Sequence, residues 1–295
     1  MSLKKCLNAP VAQLDRVPVS ETGGHRFDSC QARHFFSIIL LLFFNPCVAD
    51  TEAKLAHWQT PSYIIDSFIE IALNNEYSAT VSHLRKWQKP IYYSIEHRSE
   101  DKELHQKLVE LHLNHLSDIT GVDISAVDEN KTANLTIIFS TEQQLEQELQ
   151  NDFLLANQQQ IGQLTRNSVC LAHFSTAADS SIESAIVIIP VDRARAHAKL
   201  LSCIVEELTQ IMGLPNDSDK VFPSIFNDKS HDDYLSGLDY LLLSLLYDKR
   251  IKAGLNQVQV KQTLQQLVQE ASFKQQIKHA EQTVNQQGLF KLLNK

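Results

Sequence analysis

The residues best suited to chemistry lie in one short run, Cys203-Ile204-Val205-Glu206-Glu207-Leu208-Thr209-Gln210-Ile211-Met212-Gly213-Leu214-Pro215-Asn216-Asp217. Glu206 and Gln210 are four positions apart, so on a helix they stack on one face, with Glu207 beside them. Gly213 is placed to end such a helix in a left-handed conformation, turning the chain so that Asn216 or Asp217 comes back toward that face. Zinc in hydrolases is usually held by imidazoles, with one position left for a water whose pKa falls to about 7. Glu206 can ligate zinc, but Gln210 and Asn216 offer neutral carbonyl oxygens, which favour harder ions such as calcium, magnesium or manganese. Tight zinc is therefore not expected; the expectation is no cofactor, with a divalent metal as the alternative. Without a metal, Glu207 acts as a base only where another group polarises the substrate carbonyl. Plainer roles compete: an exposed helical face is simply solvated, and Asp217, Ser218 and Asp219 commonly cap and turn loops. His173, His197 and His231 are single histidines without ligand spacing.

The elements that must position this run follow from apolar periodicity. Residues 61–74 carry Ile64, Ile65, Phe68, Ile71 and Ala72 at helical spacing, and a second short helix is expected around 80–86. Residues 91–96 read as a first strand, and a long helix opening near Ser99 stops around Gly121. Residues 134–140 form a second strand, with Thr141-Glu142 capping a further helix. Residues 169–174 and 185–189 are two more strands, the latter almost continuously apolar and so buried on both faces. One helix is expected over 194–212, a loop over 224–228, a leucine-rich helix over 234–247 and a glutamine-rich helical tail from Val258. The order defines an α+β layered domain with a mixed sheet and extra N- and C-terminal helices.

The run over 203–217 resembles the signature helix of metzincin peptidases, in which His-Glu-x-x-His is followed by a turning glycine and a third histidine. Here the histidine positions hold Glu206, Gln210 and Asn216, the acid matches as Glu207 and the glycine as Gly213. The stretch through Gly213-Leu-Pro-Asn-Asp-Ser-Asp, Ser224-Ile-Phe-Asn-Asp and Leu245-Leu-Tyr-Asp-Lys-Arg-Ile, together with Glu76-Tyr77 and Leu84-Arg-Lys-Trp87, is similar to the bacterial exported-protein family called domain of unknown function 2927, from about Ile64 to about Leu255. The resemblance implies a zincin-like fold with a degenerate metal motif.

Composition narrows the rest. A formal charge of -8 without clustered Lys or Arg argues against nucleic acid as a partner. The apolar run over 35–44, with Arg33 before it and Cys47-Val48-Ala49 after it, is too short for a membrane-spanning helix and reads as a signal peptide over 33–49 cut after Ala49. Residues 1–32 show no periodicity and look like the conceptual translation of a transfer-RNA gene, in which case the true start is expected near residue 33; the alternative is an extended basic n-region of the signal peptide. The remaining divisions are a zincin-like domain over 50–255 and the tail over 256–295. Three of the five cysteines fall within residues 1–49, leaving Cys170 and Cys203 as a disulfide candidate in an oxidising compartment, with two buried free thiols as the plainer alternative. The functional expectation is a periplasmic or secreted binding domain of pseudo-peptidase type, taking a peptide or protein segment, with no membrane span after signal removal. The alternatives are a metal-assisted hydrolase using Glu207 as general base, and a structural module of the cell envelope.

Overall fold

A computed structural model describes residues 55–74, 83–128, 132–153, 157–230 and 233–293. The expected N-terminal extension, signal peptide and cleavage point, and His231, lie outside these residues. Helix α1 (Pro61–Leu73) starts with proline at its first turn, where the missing N–H costs nothing, and buries Ile64, Phe68 and Ile71. Strand β1 (Lys86–Trp87) follows, then β2 (Ile91–His97) and the long helix α2 (Lys102–Thr120), which ends where Gly121 adopts a left-handed φ of 70°. Next come β3 (Ile124–Ala126), β4 (Leu135–Ser140), a single 3-10 turn (Glu142–Gln144), α3 (Leu145–Asn151) and α4 (Gln158–Asn167). The hairpin of β5 (Leu171–Thr176) and β6 (Ser181–Pro190) leads to α5 (Val191–Ala196) and α6 (Leu200–Gln210). Helix α7 (Gly237–Leu246) is followed by α8 (Gln257–Leu267), α9 (Ala271–Asn285) and α10 (Gly288–Leu293).

Strands β1, β4, β2 and β3 join the sheet through parallel pairings, and β5 alone runs antiparallel, against β6. The sheet is thus mixed and the domain α+β. Strand β6 is central, and its alternate residues serve two layers. Val187 and Ile189 face the main core with Ile137, Phe139 and the helices α1, α2, α6 and α7, whereas Ile188 joins Ile138, Leu145, Leu149 and Ile161 under α3 and α4. Among the described residues no helix is long and apolar enough to cross a membrane.

Two expectations need correction. Residues 83–85 have no regular structure and Lys86–Trp87 is a strand, not the end of a helix over 80–86. The reason is tertiary: Lys86 Nζ donates to the carbonyls of Leu246 (2.7 Å) and Ile251 (3.0 Å), and Trp87 Nε1 donates to Ile211 O (2.8 Å). The helix expected over 194–212 is two helices, because Ala198 takes a positive φ of 55° and Lys199 N turns back to Ala194 O (2.7 Å). The described part of the tail, through Leu293, packs on the domain. Val260, Leu264, Phe273, Ile277 and Val284 are buried in the main core, and Glu281 Oε2 accepts from Gly237 N (2.9 Å) at the start of α7.

Candidate functional site

The start of α6 is tied to the sheet by a disulfide between Cys170, just before β5, and Cys203 (Cα–Cα 5.9 Å). Its inner face is held by α2, where His112, fully enclosed, places Nε2 at 3.1 Å from both Val205 O and Thr209 Oγ1. The carbonyls just past its last residue, which have no partner within a helix, are taken by side chains from far away: Trp87 donates to Ile211 O and Tyr247 Oη to Met212 O (2.8 Å). Gly213 then turns the chain at φ 113°, with its Cα packed so tightly against Arg85 that a Cβ would lie 2.1 Å from the Arg85 carbonyl oxygen.

These restraints leave one face of α6 on a cleft of about 480 Å³, to which Glu206, Glu207 and Gln210 all contribute. Glu207 is 6% exposed and Glu206 half-buried. The turn at Gly213 returns Asp217, whose carboxylate accepts from Gln210 Nε2 at 2.8 Å and also lines the cleft. Asn216 goes elsewhere: it is buried, its Nδ2 donates to Glu70 O (3.0 Å) and its N–H to Ile71 O (3.2 Å), so it is bound to α1. Ser218 likewise bonds Glu70 (2.8 Å), and Asp219 pairs with Lys229 (2.5 Å). Among the described residues no group of three or more His, Cys, Asp or Glu side chains is placed to hold a metal ion.

Several cleft residues carry no local signal in the sequence. Arg85 contributes a guanidinium that stands 5.7 Å from the Phe174 ring centroid and donates weakly to the carbonyls of Ala72 and Asn74, while its Nε is buried without an acceptor. Burial lowers the pKa of that guanidinium below its ordinary value. Lys199, at the start of α6, and Asp228 also line the cleft. The loop that carries Asp228 is held by a buried carboxylate in the helix that follows it: Asp239 accepts from Ser224 Oγ (2.6 Å), Ile225 N (3.1 Å), Ser236 N (2.8 Å) and Ser236 Oγ (2.9 Å). Burial pushes the Asp239 carboxyl up to about 6 against the pull of those four donors. Of the single histidines, His173 lines the cleft with its ring 5.7 Å from Phe153, and His197 caps α5 outside it.

The position of the cleft follows from the two faces of β5. Cys170, Ala172 and Phe174 pack toward the main core, whereas Leu171 belongs to the smaller cluster and His173 meets Phe153 on that side. All five line the same cleft. Side chains of one strand alternate between faces, so both sets can border a single cavity only where it runs along the strand's edge. The edge is the outer one, since β6 holds the other and is the one strand paired with β5 among the described residues.

Fold and site together define an α+β domain with a cleft running between an antiparallel edge strand and a disulfide-anchored helix. The chain belongs to the family described as protein of unknown function DUF2927, whose sequence profile matches residues 61–266. No curated protein matches the chain, and no solved structure does.

Proposed function

We propose that this is an exported, zincin-like binding domain without peptidase chemistry, whose cleft receives an extended peptide or protein segment. The observation that carries the reading is the course of the cleft along the outer edge of β5. An edge strand presents alternate N–H and C=O groups outward, and an extended segment can pair with them while its side chains enter the cleft. The donor set supports the absence of peptidase chemistry. Of the positions that hold zinc in a metzincin, Asn216 is turned toward α1 and Gln210 toward Asp217 through their amide nitrogens, so two neutral amides and one carboxylate stand where three imidazoles would. These residues do not fit a zinc site, and Glu207 has no metal-bound water to activate. Export is supported by the disulfide, since such bonds persist in oxidising compartments.

The test combines metal analysis of the purified chain, a broad peptide-cleavage screen and a peptide-binding screen. The expected outcome is less than stoichiometric zinc, no cleavage, and bound peptides that protect the β5 amides from hydrogen exchange. One-to-one tight zinc, or chelator-sensitive cleavage abolished by Glu207→Gln, would overturn the reading in favour of a metal-assisted hydrolase.

A further inference from the structure

A second hollow, of about 370 Å³, opens between the C-terminal half of α2, α7 and α9, and it shares no residue with the cleft beside β5. Each helix turns a polar stripe toward it. His115 and Asp118 are three apart on α2, Tyr240 and Ser244 four apart on α7, and Gln276 and Thr283 seven apart on α9, so each pair lies on one helical face. Stripes that face a neighbouring helix are ordinarily apolar, as the leucines of α7 are where they enter the main core. Part of the polar lining is already ordered. Gln276 Nε2 donates to Tyr240 Oη (3.1 Å) and Ser244 Oγ donates to Tyr240 O (2.8 Å), which leaves the Tyr240 hydroxyl proton and the Gln276 amide oxygen to serve another molecule. His115 is 6% exposed, yet neither of its ring nitrogens has a hydrogen bond among the described residues. The backbone at Gly288 closes over Nδ1, where a Cβ would lie only 2.3 Å away, so Nε2 is the nitrogen left for the hollow. Burial lowers the pKa of this ring to about 4 against the pull of Asp118, and the neutral imidazole can donate or accept through Nε2. A polar atom enclosed in this way is costly until some partner satisfies it.

The chemistry of the lining narrows the occupant. Among the described residues that line the hollow, Asp118 carries the only formal charge, so an anion finds no cation there. One carboxylate is too few ligands to cage a metal ion, and an apolar molecule would strip water from the hydroxyls and amides without replacing its hydrogen bonds. A molecule rich in hydroxyls meets both conditions, because each hydroxyl both donates and accepts, as do those of Tyr240, Ser244 and Thr283. The half-buried Tyr240 ring adds an apolar surface beside its polar tip, and a space of this size suits a small ligand. We infer that the hollow between α2, α7 and α9 is a binding site for a neutral saccharide of one or two rings, whose hydroxyls bond His115 Nε2, the Tyr240 hydroxyl and the Gln276 amide.

The probes are maltose, cellobiose and N,N′-diacetylchitobiose, each titrated to about 20 mM into the full purified chain with isotope-labelled histidine side chains, and sodium phosphate is the charged comparison. At least one saccharide is expected to bind with a Kd of about 1 mM or tighter and to shift the His115 ring signals in the magnetic resonance spectrum. Those signals are identified by their loss in His115→Gln, and phosphate should leave them in place. Gln276→Ala and Tyr240→Phe should each weaken the same saccharide about three- to ten-fold, the range that one hydrogen bond covers. Neither change removes a side chain from the main core, and the titration of the unaltered chain needs no variant to fold. Binding by none of the three saccharides overturns the inference. A saccharide that binds without moving the His115 signals, or without weakening in either variant, sits elsewhere and overturns it too. An equal shift with phosphate would make the hollow an anion site and overturn the saccharide assignment.

Discussion

At the scale of single residues, the site is held by groups that have no alternative. Gly213 shows this most clearly, because its φ of 113° is one that side chains rarely adopt, and any Cβ there would collide with the Arg85 carbonyl. The obstacle is backbone, which cannot rotate away. Gly213→Ala should therefore cost more than the roughly 1–3 kcal/mol of a strained backbone alone, measured by urea unfolding against the wild type. A cost below about 0.5 kcal/mol would mean that the turn is not built this way. Tyr247→Phe should cost about 1–2 kcal/mol by the same measurement, since it leaves the Met212 carbonyl without its donor. Spacing made the turn at Gly213 legible, as it did the shared face of Glu206, Glu207 and Gln210. Local periodicity assigns no partner to Arg85, Trp87 or Tyr247, because the residues they meet just past the end of α6, Gly213, Ile211 and Met212, lie more than thirty or a hundred positions away. Pairings at that separation depend on topology, and no local pattern encodes them.

At the scale of elements, the decisive contact is between β5 and α6. The Cys170–Cys203 bond closes a loop with a sequence separation of 33. In the chain-entropy account it adds about 3–4 kcal/mol by restricting the unfolded chain. Replacing both cysteines with serine should lower unfolding stability by roughly that amount, and the oxidised, denatured wild type should leave Cys170 and Cys203 unreactive toward an alkylating agent. Reaction of both thiols without reductant would show that the bond does not form. Element by element, legibility followed the strength of the apolar pattern. The unbroken run in β6 and the glycine stop of α2 were plain. Helix α4 was not read at all, since within it Ile161 alone is fully buried and glutamines fill much of the rest, yet it supplies Leu164 to the far wall of the cleft. The break between α5 and α6 was hidden for a different reason: helical periodicity continues through it, and a positive φ at an alanine leaves no trace in residue type.

At the scale of the whole molecule, the buried histidines of α2 tie stability to pH. His105, His112 and His115 are all at least nine-tenths enclosed. His105 stacks on Phe139 (ring centroids 4.3 Å) with neither ring nitrogen hydrogen-bonded. Burial lowers its pKa to about 4, helped by the charge of Arg195; burial also lowers His112 to about 3 and His115 to about 4. A histidine with a depressed folded pKa is stabilising in its neutral form above the unfolded pKa of about 6.5, and that contribution is lost as pH falls toward the folded value. Each such group takes away up to about 1.4 kcal/mol per pH unit in that window. Asp239 works in the opposite sense, since its folded pKa of about 6 lies above the ordinary carboxyl value and its native form gains a proton first on acidification. The three histidines outnumber the carboxyl, so acidification from about pH 6 toward pH 4 lowers stability. Urea unfolding at pH 7.5, 5.5 and 4.5 should show this decline. His105→Leu, which replaces an imidazole with no hydrogen bonds by an apolar side chain of similar size, should reduce the slope by up to about 1.4 kcal/mol per pH unit and raise stability at pH 4.5 relative to the wild type. An unchanged slope in that variant would show that His105 is not titrating on unfolding, and that the acid sensitivity of the fold resides in other groups.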